Sequence, residues 1–263
     1  MNNANAPLLH LTTDTHPWGT VFALARATQD PTSWQLTGGL MVQAHAMLHG
    51  VNSRSTEDAD LLVDVLTHKR AVREVRDVLQ RLGFKVVDGS LTGYTTRMRR
   101  GTEDVDLLVD NHLSPYVRPR AELNGNKMLG MPGSRRAVLR SMDVDLALHG
   151  EIARIRMPDQ LGALLMKAAS WREAKQRDYG RHLQDCALLA SLIDDPVEAL
   201  LRLDNRSPSD RKNIRTLRDE LIGHAEYFRT LSPRQRLQAE RTLEILVRLL
   251  AMPRKHGHTA DYV

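Results

Sequence analysis

"RSTEDADLLVD" at 54–64 and "RGTEDVDLLVD" at 100–110 are nearly the same eleven residues, and each sets two carboxylates, one residue apart, at the mouth of an apolar run. Side chains alternate along a strand. A strand over the first copy therefore turns Ala59, Leu61, Val63 and Val65 to one face, and Asp58, Asp60 and Asp64 to the other. Carboxylates about 4 Å apart repel by roughly 4 kcal/mol at an effective dielectric of about 20. Without a counter-charge, one of them has to take up a proton. A pair of divalent cations removes that cost, and two ions can clamp the attacking and leaving oxygens of a phosphoryl displacement. The two runs are expected to be strands of one sheet, with their acids converging on metal. A lone Asp-x-Asp is more often a pair of solvated strand-end acids. The second copy, and the Gly38-Gly39 step upstream, favour a site.

Working outward, residues 1–17 are polar and read as a flexible lead-in, and "WGTVFALARA" (18–27) has helical spacing. "WQLTGGL" reads as a short strand ending in Gly38-Gly39, followed by a helix closed by Gly50. Residues 67–84 form an amphipathic pattern with Val72, Val75, Val78, Leu79 and Leu82 inward. "KVV" and "YTTRMRR" read as strands, 111–136 as loop-rich, and "SMDVDLALHG" with "IARIRM" as a hairpin across Gly150. After Pro158 every segment carries helical periodicity. The expected class is α/β (α+β), a mixed twisted sheet with flanking helices and then an all-helical domain. The boundaries are a lead-in at 1–17, an α/β domain at 18–157, a helical domain at 158–252 and a frayed tail at 253–263.

The chain's 263 residues suffice for one large domain or two modest ones, each with a real core. Aromatic content of 4% argues against a single-strand binder built on stacked aromatic platforms. A net charge of +5 points to an anionic partner or substrate. One cysteine, Cys186, excludes an internal disulfide framework and a cysteine zinc cluster, and in its apolar helix it reads as a small buried hydrophobe. No leader and no membrane-length run is evident, so a cytoplasmic protein is expected.

"LTGGLMVQAHAMLHGVNSRSTEDADLL" resembles the nucleotidyltransferase superfamily signature: a strand-end Gly-Gly before a helix, a second strand with Asp-x-Asp, and a third acid from a later strand. "LLMKAASWREAKQRDYGRHLQDCALL" resembles more narrowly the AbiEii-like nucleotidyltransferase toxins, relatives of mycobacterial toxins that modify tRNA, through Lys167, Arg177-Asp178, Arg181 and Asp185. The match covers roughly 36–110 and 158–190. It implies a nucleotidyltransferase fold and Mg²⁺ or Mn²⁺ on Asp58, Asp60 and Asp106, with Asp106 serving as ligand or base. It also implies an NTP whose triphosphate approaches Gly38 and Gly39, with Ser55 and Thr56 adding hydroxyl donors. Lys167 would neutralise phosphate charge, and Asp185 would orient it or the substrate. Leu40 stands where many relatives have a small or hydroxyl residue, which removes a side-chain phosphate contact there. Asp143 and Asp145 in "DVDLAL" remain rivals to Asp106 as the third acid.

The implied reaction moves an NMP from an NTP to an acceptor hydroxyl. The acceptor expected is RNA, a tRNA 3′ end, with the protein acting as a toxin held by an antitoxin protein. The alternatives are a nucleotidyltransferase that modifies an antibiotic and an inactive member of the fold that binds RNA or protein. His45 and His49 have i,i+4 zinc spacing, but Ala46 stands where a zinc protease needs Glu, and a packed pair is the simpler reading. Cations at 97, 99, 100, 118, 120, 127, 135 and 136 form either a solvated loop or an RNA-tracking surface, which "RSPSDRKNIR" (206–215) could extend. That stretch reads equally as a helix start with Ser207 as N-cap.

Overall fold

The computed structural model describes residues 6–87, 93–173, 179–202 and 207–252. The chain opens with β1 (Leu8–His10), α1 (Trp18–Ala27), β2 (Trp34–Thr37) and α2 (Gly38–Leu48). It continues through β3 (Ala59–Val63), α3 (Ala71–Arg81), β4 (Lys85–Val86), β5 (Arg97–Arg100) and β6 (Glu103–Asp110). Three two-residue strands follow, β7 (Glu122–Leu123), β8 (Asn126–Lys127) and β9 (Gly130–Met131), and then α4 (Ser134–Leu139), β10 (Ser141–Leu148) and β11 (Glu151–Pro158). From there on the described residues are helical: α5 (Gln160–Glu173), α6 (Tyr179–Ser191), α7 (Pro196–Leu201), α8 (Pro208–Gly223) and α9 (Pro233–Ala251). The class is mixed α/β with a helical C-terminal region, as the periodicities require.

One sheet runs β2-β3-β6-β5-β4, with β9 joining the end of β6. β3 and β6 are parallel neighbours, and β2–β3 and β5–β6 are antiparallel. The register of β3 on β6 pairs Ala59 with Val105, Asp60 with Asp106, Leu61 with Leu107 and Leu62 with Leu108. The two look-alike segments therefore lie side by side, each letter against its counterpart. Ala59, Leu61, Val105, Leu107 and Met98 are fully buried on one face, against the apolar side of the α3 helix at Val72, Val75, Val78 and Leu79. Each such side chain contributes roughly 1.5–3 kcal/mol, so Leu61 or Leu107 to Ala would cost about 2–5 kcal/mol.

A second sheet, β1-β10-β11, contains the expected hairpin. His149 and Gly150 both take positive φ between Leu148 and Glu151, which makes the tight turn. The lead-in expectation is corrected here. Leu8–His10 pairs in parallel with Asp145–Ala147, and Leu9 and Leu11 are buried. Three residues are too short a run for period-2 alternation to register in sequence. The loop-rich reading of 111–136 overruns only the first three residues of α4, whose Gly133 entry packs its backbone against Met166 of α5. The helix predicted after Gly38-Gly39 begins on Gly38 itself.

Ser207 caps α8 in a capping box with Asp210, and Ser232 does the same for α9 with Gln235. Asp195 caps α7. Among the described residues no helix is long and apolar enough to cross a membrane. The tail at 253–263 lies outside them.

Candidate active site on the acidic strands

The strand register decides which acids meet. Asp60 of β3 stands directly beside Asp106 of β6, and Arg97 of β5 stands on Asp106's other side. The next row pairs Asp104 with Arg99. Arg97 Nε and Nη2 donate to the two Asp106 oxygens at 2.9 and 2.7 Å, and its Nη1 reaches Asp104 at 2.8 Å. Arg99 donates to both Asp104 oxygens at 2.6 and 2.9 Å, and holds that carboxyl below the usual range.

Asp60 is different. Its carboxylate has no hydrogen-bond or ion-pair partner among the described residues. Burial, then the charges of Asp106 and Asp58, push its pKa up to about 6 against the pull of Lys167 and Arg97. Asp58 is exposed just ahead of the strand, close enough for its charge to act on both Asp60 and Arg97.

The glycine step has a measurable reason. Gly38 has φ +65°, and a Cβ there would sit 1.7 Å from Asp60 Oδ2. A Cβ on Gly39 would meet Thr56 Oγ1 at 2.9 Å and the Arg54 guanidinium at 3.0 Å. No side chain caps the start of α2, so its leading N–H groups remain available beside Asp60, where the helix dipole favours an anion. Thr56 is half-buried against Gly39, and Ser55 is exposed on the same loop. Leu40 is wholly buried, so this turn has backbone, not side chain, to offer a phosphate.

The helical half enters through α5 and α6. Lys167 Nζ donates to Asp185 Oδ2 at 2.8 Å, and Arg54 donates to both Asp185 oxygens at 2.9 and 3.0 Å. Burial alone would raise the Asp185 pKa, but Lys167 and Arg54 outweigh it and keep the carboxyl below its ordinary range. Lys167 is 4% and Asp185 2% exposed, so this pair is interior while Arg54 stays half-buried, and Lys167 reaches the acids as a charge acting on Asp60.

Asp58, Asp60, Asp106, Gly38, Gly39, Thr56, Lys167 and Asp185 thus gather around one end of the sheet, with Ser55 on the adjoining loop. The rivals do not join them. Asp143 and Asp145 lie on β10 of the other sheet, ion-paired with Arg156 and Arg154 of β11. Arg181 is exposed on α6, and Arg177 and Asp178 lie outside the described residues. His45 is buried with Nε2 donating to the Pro158 carbonyl, and His49 Nδ1 donates to the His45 carbonyl. Burial drops the His45 pKa to about 4. Most of the cations at 97–136 turn inward: Arg97, Arg99 and Arg100 to neighbouring acids, and Arg118 and Arg120 to loop carbonyls. Lys127 and Arg135 remain exposed. Cys186 is buried, and burial raises its thiol pKa.

Sequence reasoning missed Arg54 and the specific role of Arg97. Arg97 and Arg99 do alternate around Met98 just before the acids, a period-2 charge signal complementary to Asp104 and Asp106. Arg54 opens the first repeat but gives no local hint of its partner.

The residues suit a divalent cation only in part. Asp60 offers hard oxygen donors with no competing partner, and Asp58 adds another beside it. Asp106, which the resemblance gives as a third ligand, has both oxygens bonded to Arg97. Among the described residues no three His, Cys, Asp or Glu side chains form a ready metal cage. One or two carboxylates completed by substrate phosphates is a common arrangement for Mg²⁺. No protein-family model matches the chain, and no curated protein matches it.

Proposed function

We propose that this protein is a Mg²⁺-dependent nucleotidyltransferase that moves an NMP from an NTP to an acceptor hydroxyl. The observation that carries the proposal is the unpartnered Asp60, set beside Asp106 and against the Gly38 backbone at the open start of α2. An acid whose pKa is raised to about 6 beside a second carboxylate supports the reading that a cation and substrate complete this site.

In this reading Asp58 and Asp60 hold the cation, which when bound draws negative charge off the phosphate oxygens. The triphosphate lies along the first N–H groups of α2 and the Ser55 and Thr56 hydroxyls, where the Arg54 guanidinium borders Gly39. Lys167, fixed by Asp185, offsets charge from beneath. The acceptor oxygen attacks the α-phosphorus and the bond to the bridging oxygen breaks. Pyrophosphate leaves with that oxygen, and the hydroxyl proton passes to a carboxylate of the Asp60–Asp106 pair. Arg97 keeps the Asp106 carboxylate aimed along the row.

The acceptor is RNA, a tRNA 3′ end, in a cytoplasmic toxin restrained by an antitoxin protein. The net charge of +5 supports a polyanionic acceptor. Incubating the protein with Mg²⁺, each labelled NTP and total tRNA is expected to label RNA, and Asp60→Ala to abolish labelling. Failure with all four NTPs on any RNA, together with transfer to an aminoglycoside or lincosamide, would reassign the acceptor to a small molecule.

A further inference from the structure

We infer that this site takes a single divalent cation, on Asp58 and Asp60, and that the Arg97 guanidinium fills at Asp106 the place of a second. The inference rests on the nucleotidyltransferase reading and narrows it. Three adjacent strands impose the order Asp60, Asp106, Arg97 across one row, so Arg97 is held by backbone register and not by a mobile loop. Its planar fork matches Asp106 at 2.9 and 2.7 Å and bridges to Asp104 at 2.8 Å. A guanidinium bridging two carboxylates supplies one positive charge and a fixed fork of donors where a bridging metal would otherwise sit.

The charge count points the same way. Asp58, Asp60, Asp104 and Asp106 face Arg97 and Arg99, and Lys167 with Arg54 outnumbers Asp185 by one positive charge, so the assembled site keeps a single net negative charge, which one divalent ion already exceeds. The donor supply agrees. A second octahedral shell would need Asp106 and Asp104, and Arg97 and Arg99 occupy both oxygens of each. Asp106 thereby stands beside the cation site without ligating the ion, and is the carboxylate of the pair left to take the acceptor's proton.

The test is Mn²⁺ titration of the full chain, reading free Mn²⁺ by electron paramagnetic resonance, with folding verified by thermal melting. Wild type is expected to bind about one Mn²⁺ per chain, Asp106→Asn to retain it and Asp60→Asn to lose it. Arg97→Gln is expected to gain a second Mn²⁺, and Arg97→Lys to remain at one. Two ions on wild type, loss of the ion in Asp106→Asn, or an unchanged count in folded Arg97→Gln would each overturn the inference. If Arg97→Gln does not fold, the Asp106→Asn count decides. Two ions with NMP transfer intact would sink this inference alone. One ion without transfer from any NTP would sink the enzymatic reading instead.

Discussion

β3 and β6 carry almost the same letters and lie against each other, yet their acids live in opposite electrostatic states. β6 follows β5 through a two-residue turn at Gly101 and Thr102, which sets Arg97 and Arg99 squarely opposite Asp106 and Asp104. β3 is entered from α2 through the loop at 51–58, whose Arg54 is drawn away to Asp185. One copy is neutralised by its hairpin and the other is left anionic. Among the acids of the echo only the last do the same job: Asp64 accepts two backbone N–H groups and Asp110 one, just past their strands, closing them with Asx turns. A repeated motif here specifies strand pairing, and the preceding connection specifies chemistry.

The contrast breaks most sharply at Asp60. Asp60→Asn is expected to cut NMP transfer at least about 100- to 1,000-fold while raising the melting temperature, because it removes an unpaired acid from a crowded row. An activity assay beside a thermal melt checks both signs. Gly38→Ala comes next: its Cβ has no room beside Asp60 Oδ2, and positive φ costs an L-residue about 1–2 kcal/mol. Displacing Asp60 should lower transfer by about 100-fold, read as a fall in kcat.

Proton linkage separates the two strands in the metal-free protein. The folded-state pKa of Asp60 is raised from 3.8 to about 6, so its ionisation costs stability at pH 7, and that cost disappears as pH falls through 6 toward 4. Relative to Asp60→Asn, wild type should gain about 1–3 kcal/mol across this window, measured by denaturant titration. Asp104 is shifted the other way, so its contribution persists throughout the window and is lost only further into acid. His45 opposes Asp60: its folded pKa is near 4 against 6.5, so its contribution is lost as pH falls between those values. Comparing the two proteins cancels it. Smallest is the turn: Gly101→Ser, at φ +59°, should cost about 1 kcal/mol, while Ser55→Gly on the exposed loop should move stability by less than about 0.5 kcal/mol.

Much of this was legible in the letters. Period-2 alternation placed Asp58 and Asp60 on one face of a strand, the family resemblance offered Asp106 beside them, the glycine step marked the strand-to-helix turn, and helical periodicity separated the two halves after Pro158. Family resemblance, not pattern, supplied Lys167 and Asp185. Partners were the blind spot. Arg54 meets Asp185 from 131 residues away, and no window of sequence reports so distant a pairing. The cations at 97–136 looked like a surface for phosphates because charge is visible in sequence and its neutralisation is not. β1 escaped notice because its three residues gain their meaning only from β10.

The salt cluster of Lys167, Asp185 and Arg54 also bears on how the protein can be cut down. A fragment ending at Pro158 would keep every acid of the sheet, but it would strand Arg54 without its carboxylate and delete the buried ammonium that offsets Asp60. On the nucleotidyltransferase reading it would not be a minimal catalytic module. Two separately expressed pieces would have to regain activity by docking, and the seam they must rebuild is an ionic joint whose carboxylate and ammonium are both buried.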